Sequence, residues 1–190
     1  MSCMPERDPS KFACHIEGEE QALSIDGTEH RIERPSDKGA QKFFYSGKKK
    51  THSRKEIVIV GNNDRKVKYL SDIYEGKKHD KKIADEENIQ FPDGTQLYQD
   101  TGFQGYNPEG VEVVMPKKKP RGGELTEEEK ENNRLISSVR VIVENVIAGI
   151  KRLHIVKSVF RNKKNGFDDK ITAVACALHN FRVGCRLQSY

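Results

Sequence analysis

Three acidic residues of the chain stand in contexts where a charged side chain is unexpected. Asp26 lies inside an apolar stretch, Asp100 precedes a glycine-containing turn, and Glu144 lies within the segment VRVIVENVIAGI. A carboxylate with apolar neighbours loses hydration free energy unless a cation or a proton compensates its charge. Hard divalent cations such as Mg²⁺ bind carboxylate oxygens, so the three acids would form a phosphoryl-transfer site if they converge in the fold.

Each acid taken alone has a simpler explanation, because a helix cap, a surface charge or an ion pair accounts for a single carboxylate. Glu144, for example, would pair with Arg140 one turn earlier on a helix. Lys151 favours the catalytic interpretation, since it follows Glu144 by seven residues. That spacing places both side chains on one helix face about 10 Å apart. A lysine there would hold DNA backbone beside a metal-binding acid.

The basic residues are concentrated in blocks. The chain has 34 Lys and Arg against 29 Asp and Glu, a net charge of +5. Basic blocks occupy residues 42–55, 117–121 and 151–164, and an acidic block occupies residues 124–131. Three basic blocks on one small domain suggest a surface that follows phosphates. Solvated lysine-rich loops are the alternative for each block.

Composition excludes several protein classes. Only 34% of the residues are hydrophobic and 33% are charged, in a chain of 190 residues, which indicates one polar domain. No window approaches 18 uninterrupted apolar residues, and the N-terminus has no apolar signal region. We therefore expect no membrane partner and a cytoplasmic protein, associated with the nucleoid in a prokaryote. The four cysteines form no CxxC pair, which predicts free thiols rather than a zinc site or disulfides.

The elements that would position the acids begin with strands. An alternating pattern over residues 22–34 predicts a strand that ends before Pro35. Residues 55–60 and 66–76 flank a turn, which predicts a hairpin. A short helix is predicted over residues 79–88, with Asp80 as N-cap or first-turn acid. Residues 95–100 and 111–115 are further strand candidates.

Two helices follow the strands. Thr126 and Glu129 have capping-box spacing before apolar residues that repeat at three and four, which predicts a long helix over residues 126–153. After a breaker at Asn165 and Gly166, a second helix over residues 168–181 is expected to bury Ile171, Val174, Leu178 and Phe181. Residues 1–20 lack periodicity and are expected to be a loose lead-in. The order of elements predicts an α/β or α+β domain with one mixed sheet.

Seven ordered blocks make the chain resemble a known family. It closely resembles the catalytic domain of insertion-sequence transposases of the DDE superfamily, the group that includes Harbinger-like nucleases, over residues 22–186. The resemblance implies a ribonuclease-H-like fold, a mixed sheet flanked by helices, as a catalytic domain over residues 21–186 with a C-terminal tail over 187–190. The blocks are IDGTEHRIERP, FYSGKKKTHSRK, EGKKHD, QDTGFQGY, KKKPRGGELTEEEKENNR, VRVIVENVIAGIKR and ALHNFR.

The resemblance also implies the site. Asp26, Asp100 and Glu144 would hold Mg²⁺ or Mn²⁺. One ion, bound by Asp26 and Asp100, would activate water or a 3′-hydroxyl. A second ion, shared by Asp26 and Glu144, would stabilise the leaving oxygen. Gly102 and Gly105 would form a turn close to this site. Four lysines would bind DNA in this interpretation: Lys151, Lys48, Lys49 and Lys50.

Two other blocks shared with the family receive structural interpretations. We interpret Asp80, in the pair His79 and Asp80, as a helix cap rather than a metal ligand. His179 and Asn180 are interpreted as packing residues or as a capping hydrogen bond.

The function implied by the resemblance is that of a metal-dependent DNA endonuclease and strand transferase acting on transposon ends. The implied partners are transposon-end and target DNA, bound by a homodimer. Relatives of this kind commonly carry a helix-turn-helix segment before the catalytic domain, and about twenty residues precede the match here. End recognition would then come from a separate helix-turn-helix subunit or a missing N-terminal domain.

The alternatives are a catalytically inactive, transposase-derived DNA-binding protein or a truncated remnant. A generic basic RNA-binding module has little support, because only 7% of the residues are aromatic.

Overall fold

In the computed structural model, which describes residues 3–16, 21–164 and 166–187, seven strands form one mixed sheet. Its order is β2-β3-β1-β6-β7, and β4 and β5 also pair with β3. Strand β3 runs antiparallel to β1, whereas β6 is parallel to β1 and β7 is parallel to β6. The strands are β1 Ala22–Arg31, β2 Tyr45–Ser46, β3 Thr51–Gly61, β4 Val67–Leu70, β5 Tyr74–Glu75, β6 Thr95–Tyr98 and β7 Val111–Val114.

Helices cover both faces of this sheet. One core joins the sheet to α1 and α3 and contains Phe12, Ile25 and Ile83. The second core joins the opposite face to α4 and α6 and contains Val58 and Val146. This layered arrangement confirms the predicted α/β class and is consistent with the ribonuclease-H-like fold. The helices are α1 Phe12–Ile16, α2 Lys38–Phe44, α3 Asp80–Glu87, α4 Glu127–Ile150, α5 His154–Lys157 and α6 Phe167–Leu187.

The central strand β1 has an interrupted edge. Along one side it pairs with β3 from Leu23 to Arg31, but on the other side it pairs with β6 only through Ala22–Ser24. Farther along that second side, the Phe160 amide donates to the Arg31 carbonyl at 2.8 Å. Between these contacts, residues 25–30 meet no strand on this side within the described part of the chain. We call this stretch the open edge.

Local sequence patterns correctly predict the start of α4 and the hairpin of β3 and β4. The Thr126 hydroxyl accepts a hydrogen bond from the Glu129 amide at 3.2 Å, and the Glu129 carboxylate accepts one from the Thr126 amide at 2.9 Å. This capping box confirms the predicted start of α4, which runs to Ile150 with Lys151 as its C-cap. The predicted hairpin is also confirmed, because β3 and β4 pair antiparallel.

The predicted burial of α6 is wrong. Val174, Leu178 and Phe181 are 50%, 51% and 60% exposed, and Ile171 is only partly buried. The buried face carries small residues instead, among them Cys176. The apolar stripe therefore faces outward.

Polar contacts explain this orientation of α6. The Asn180 side chain accepts from the Val67 amide at 2.7 Å and donates to the Val67 carbonyl at 2.8 Å. His179 Nε2 lies 3.1 Å from the Arg65 carbonyl. These contacts tie α6 to the β3–β4 hairpin, which confirms a packing role for His179 and Asn180 rather than a helix cap.

The expectation of a loose N-terminal lead-in does not hold for residues 3–16. Phe12 and Ile16 are 0% and 1% exposed in the first core, and Arg7 Nη2 lies 2.5 Å from Asp169 Oδ1 of α6. The core thus includes residues that precede the predicted boundary at residue 21. Residues 1–2, 17–20 and 188–190 lie outside the described ranges.

The four cysteines are thiols rather than halves of disulfides, as predicted. Burial raises the pKa of Cys176 above its ordinary value, so this thiol stays protonated at neutral pH. Across the described residues, no helix has the length and apolarity that crossing a membrane requires.

We predict that Asn180→Ala lowers the free energy of unfolding by about 2 kcal/mol, because it leaves the Val67 amide and carbonyl buried without partners. Phe181→Ala, at the neighbouring exposed position, should change it by less than about 0.5 kcal/mol. Urea denaturation of both variants measures the difference. Equal losses would mean that the outer face of α6 is covered.

Candidate active site

Asp26 and Asp100 lie beside each other at the open edge. Asp26 is in the middle of β1, and its Oδ1 accepts a hydrogen bond from the Gly27 amide at 2.7 Å. Asp100 follows β6 and caps the single 3₁₀ turn Thr101–Phe103, where its Oδ1 accepts from the Gly102 amide at 2.6 Å. Because β6 is parallel to β1 and ends at Tyr98, the chain delivers Asp100 next to Asp26.

The charge of these acids is only partly compensated. Burial above all, together with the negative charges of Asp100 and Asp80, raises the pKa of Asp26 to about 6, against the opposing effects of the Gly27 amide and the Arg140 guanidinium. An ionised Asp26 therefore sits in a site that would gain free energy from an added cation.

Two glycines allow a third carboxylate to approach. A Cβ atom at Gly27 would lie 2.6 Å from Asp80 Oδ1, and one at Gly102 would lie 2.7 Å from Asp100 Oδ1 and 3.3 Å from Asp80 Oδ2. Gly105 has a φ of +86°, a conformation that favours glycine. The predicted glycine turn is confirmed, and Asp80 lies between its first glycine and β1.

Asp80 is not the N-cap of α3, so its interpretation as a helix cap is wrong, whereas the alternative of a first-turn acid is confirmed. The N-cap of α3 is His79, whose side chain makes no capping hydrogen bond, and Asp80 is the first helical residue. Its Oδ1 lies 3.0 Å from Lys55 Nζ, which is also 3.8 Å from Glu29 Oε1. The sequence showed an acid at a helix start, but its approach to Gly27 depends on a tertiary contact that no local pattern contains.

Helix α4 brings a row of charged residues over this edge. Arg140 Nη2 lies 3.8 Å from Asp100 Oδ2. Burial and the charge of Lys49 lower the pKa of Lys151, while Glu29 and Asp26 act in the opposite direction, so Lys151 lies within electrostatic range of Asp26. Glu144 occurs between Arg140 and Lys151 on the same helix face, at four and seven residues' spacing.

Glu144 itself is exposed. Among the described residues, no ion pair joins it to Arg140, so the alternative of a Glu144–Arg140 pair is wrong; the ion pair of Arg140 is with Asp100. No group of three or more His, Cys, Asp or Glu side chains placed to hold a metal ion occurs within the described ranges. The structure thus brings Asp26, Asp80 and Asp100 to one edge, and Glu144 stays a predicted ligand.

The basic blocks differ in how far acidic residues compensate their charge. The predicted DNA-binding residues Lys48, Lys49 and Lys50 are exposed in the turn between β2 and β3, and Lys49 is near enough to lower the pKa of Lys151. In the second block, Lys117 pairs with Glu129 at the start of α4. Lys119 Nζ likewise lies 3.8 Å from Glu124 Oε1, so the acidic block compensates this one.

The carboxylates fit a hard divalent cation. Mg²⁺ and Mn²⁺ bind oxygen donors, commonly one or two carboxylates together with water or phosphate oxygens. Asp26 and Asp100 offer carboxylate donors at the same edge, and burial, with the charge of Asp100 adding to it, raises the pKa of Asp26. Arg140 and Lys151 add cations on the side of α4, where a phosphate would be attracted.

Comparison with known proteins identifies the family of this chain. The family model described as DDE superfamily endonuclease matches residues 25–180. A protein named "Probable transposase for insertion sequence element IS702", from Microchaete diplosiphon, is 29% identical over 168 residues, which cover 88% of this chain and 59% of that protein. This chain thus spans about three fifths of the length of that relative. No solved structure is significantly similar. Since the family match covers most of the chain and includes Asp26, Asp100 and Glu144, the chain belongs to the DDE superfamily of endonucleases.

Proposed function

We propose that this chain is a metal-dependent DNA endonuclease and strand transferase that acts on transposon ends. The observation that carries the proposal is the meeting of Asp26 and Asp100 at the open edge, with Lys151 within electrostatic range. Membership of the endonuclease superfamily and the similarity to a protein named as a transposase support it. A homodimer on DNA and a separate helix-turn-helix subunit stay predictions.

In the proposed site Asp26 and Asp100 would hold Mg²⁺ or Mn²⁺, and Glu144 would add a carboxylate from α4. The bound metal supplies Lewis-acid stabilisation of the charge on the phosphoryl group and lowers the pKa of an attacking water or hydroxyl. The hydrogen bonds from the Gly27 and Gly102 amides fix the orientation of the two aspartates. Placement and charge then suffice, and no covalent enzyme intermediate is required.

The neighbouring cations have distinct roles in this proposal. Lys55 neutralises Asp80 at 3.0 Å, which limits the repulsion among the acids. Lys151 and the exposed Lys48, Lys49 and Lys50 would bind backbone phosphates and hold the strand over the acids, with affinity that depends on salt and little on sequence.

A second candidate function is an inactive DNA-binding protein that keeps the fold. The observation that favours it is the exposed Glu144, which is not gathered with the other acids into a metal-binding group among the described residues. The two candidates differ in whether the three acids are needed for cleavage.

We predict that Asp26→Asn, Asp100→Asn and Glu144→Gln each lower Mg²⁺- or Mn²⁺-dependent nicking and joining of DNA at least 100-fold, as removal of a group that stabilises transition-state charge does (about 10²–10³). DNA binding should persist. Glu128→Gln, at an exposed position of the same helix, is the matched control and should retain activity. Full activity of Asp100→Asn would eliminate the catalytic proposal, and activity of Glu144→Gln alone would remove Glu144 from the site.

We predict that Asp26→Asn stabilises the metal-free protein at pH 8 by about 3 kcal/mol, because the raised pKa of Asp26 makes its ionised form unfavourable in the folded state. The wild-type chain gains this stability as the pH falls through about 6. The difference between the two proteins should vanish below about pH 4, where the carboxyl is protonated in both the folded and the unfolded state.

Urea denaturation in chelator across this pH range measures the difference. Added Mg²⁺ should stabilise the wild-type chain at pH 8 and leave Asp26→Asn unchanged. Equal stabilisation of both proteins by the metal would show that Asp26 is not a ligand.

Lys151→Ala should weaken DNA binding and lower the slope of log K against log salt by about 0.9, the loss of one phosphate contact. Lys117→Ala is the matched control, because Lys117 is paired with Glu129, and its slope should stay that of the wild type. Fluorescence anisotropy at several salt concentrations measures both. An unchanged slope for Lys151→Ala would mean that Lys151 does not contact phosphate.

A further inference from the structure

A cavity of about 360 Å³ lies at the far end of the open edge. Ile32 and Phe160 line it, and these two residues form the isolated bridge that closes the open edge. Ile32 follows Asp26 by six residues, a distance of about 20 Å along an extended strand. The cavity is therefore separate from the acids but lies along the same strand.

Two aromatic rings in the cavity wall are held in position. Phe44 packs under the guanidinium of Arg54, whose Cζ lies 5.2 Å from the ring centroid. Phe160 is fixed by its backbone, which donates to the Arg31 carbonyl at 2.8 Å and accepts from the Glu33 amide at 3.0 Å. Both phenylalanines are partly exposed where they line the cavity. Rings of this kind are surfaces on which a planar ligand stacks.

The same wall contains buried polar atoms that lack partners. Asp168 is 7% exposed, and its Oδ2 lies 2.5 Å from Arg54 Nη1. Its Oδ1 and the Arg54 Nε have no hydrogen-bond partner among the described residues. A buried acceptor and donor without partners cost free energy until a ligand supplies the complementary groups. Both atoms are covered in this structure, so a ligand gains hydrogen bonds to them only when the neighbouring side chains move.

The rim of the cavity is cationic. Its four basic residues outnumber its two carboxylates, Glu33 and Asp37. Lys163 lies 4.0 Å from Glu33, and the Asp37 carboxylate is already occupied by the Ala40 amide at the start of α2. The remaining positive charge suits a ligand with a phosphate. The basic residues are Arg34, Arg161, Lys163 and Lys164.

We propose that this cavity binds an unstacked base of the DNA strand that passes over the acids. A nucleobase is planar and can stack on the phenylalanine rings. It carries donors and acceptors that complement the unpaired polar atoms, and its phosphates suit the cationic rim. The volume is that of a small ligand site. The distance of about 20 Å along β1 corresponds to about six nucleotides at duplex rise and fewer in an extended strand. This inference rests on the proposed function only in that the strand is DNA.

The test compares two single-stranded probes in chelator, an oligonucleotide and an abasic oligonucleotide of the same length and charge. The wild-type chain should bind the base-bearing probe about 10-fold more tightly, within the range expected for stacking one base on an aromatic ring. Phe160→Ala should lower this preference below about 2-fold. Phe181→Ala, which removes an exposed ring of α6, is the matched control and should keep it.

A second measurement uses the unaltered chain, so the proposal stays testable if Phe160→Ala does not fold. An oligonucleotide containing 5-iodouracil is irradiated with the protein and the crosslinked peptide is identified by mass spectrometry. Attachment at Phe44 or Phe160 supports the proposal. Attachment only at other residues overturns it.

The remaining outcomes separate this proposal from the proposed function. If the wild-type chain binds both probes equally, or if Phe160→Ala keeps the full preference, the cavity does not bind a base, and nuclease activity measured with Mg²⁺ is unaffected by that result. If the base preference depends on Phe160 but no metal-dependent cleavage occurs, the cavity is supported and the nuclease proposal fails.

Discussion

Negative charge held at an interruption of the sheet is the constraint around which this domain is arranged. Strand β1 keeps its partner β3 along its length but loses β6 after Ser24, and Asp26 and Asp100 occupy the place that is left. Cations from different layers approach these acids. Lys55, in the sheet, pairs with Asp80, and Arg140, on α4, lies near Asp100. The attraction between these charges couples the helices to the edge, so the shape of the site and the packing of the layers depend on each other.

Polar contacts also decide how α6 lies on the sheet. Asp168 contacts Arg54, Asp169 contacts Arg7, and Asn180 contacts the backbone of Val67. Each of these contacts joins α6 to a residue of another segment of the chain. A helix anchored in this way does not need its large apolar residues inside, which is why Val174, Leu178 and Phe181 point outward.

The sequence predicted the features that local chemistry determines. The capping box of Thr126 and Glu129, the β3–β4 hairpin and the glycine turn after Asp100 all depend on residues close together in the chain. The orientation of α6 could not be predicted, because an apolar period of three and four is the ordinary sign of a buried face. The approach of Asp80 to the edge was also hidden, since it depends on missing side chains at Gly27 and Gly102, which are far from Asp80 in sequence. The packing of Phe12 was missed because α1 has only five residues and shows no period.

The open edge of β1 also bears on how the chain behaves at high concentration. An exposed strand edge is a template on which another polypeptide can add a strand, the first step toward aggregation. Here β6 and Phe160 leave only residues 25–30 unpaired, and Asp26 and Glu29 place charge within that stretch. The carboxylates that shape the candidate site thus also oppose the addition of a foreign strand, so the same side chains favour solubility.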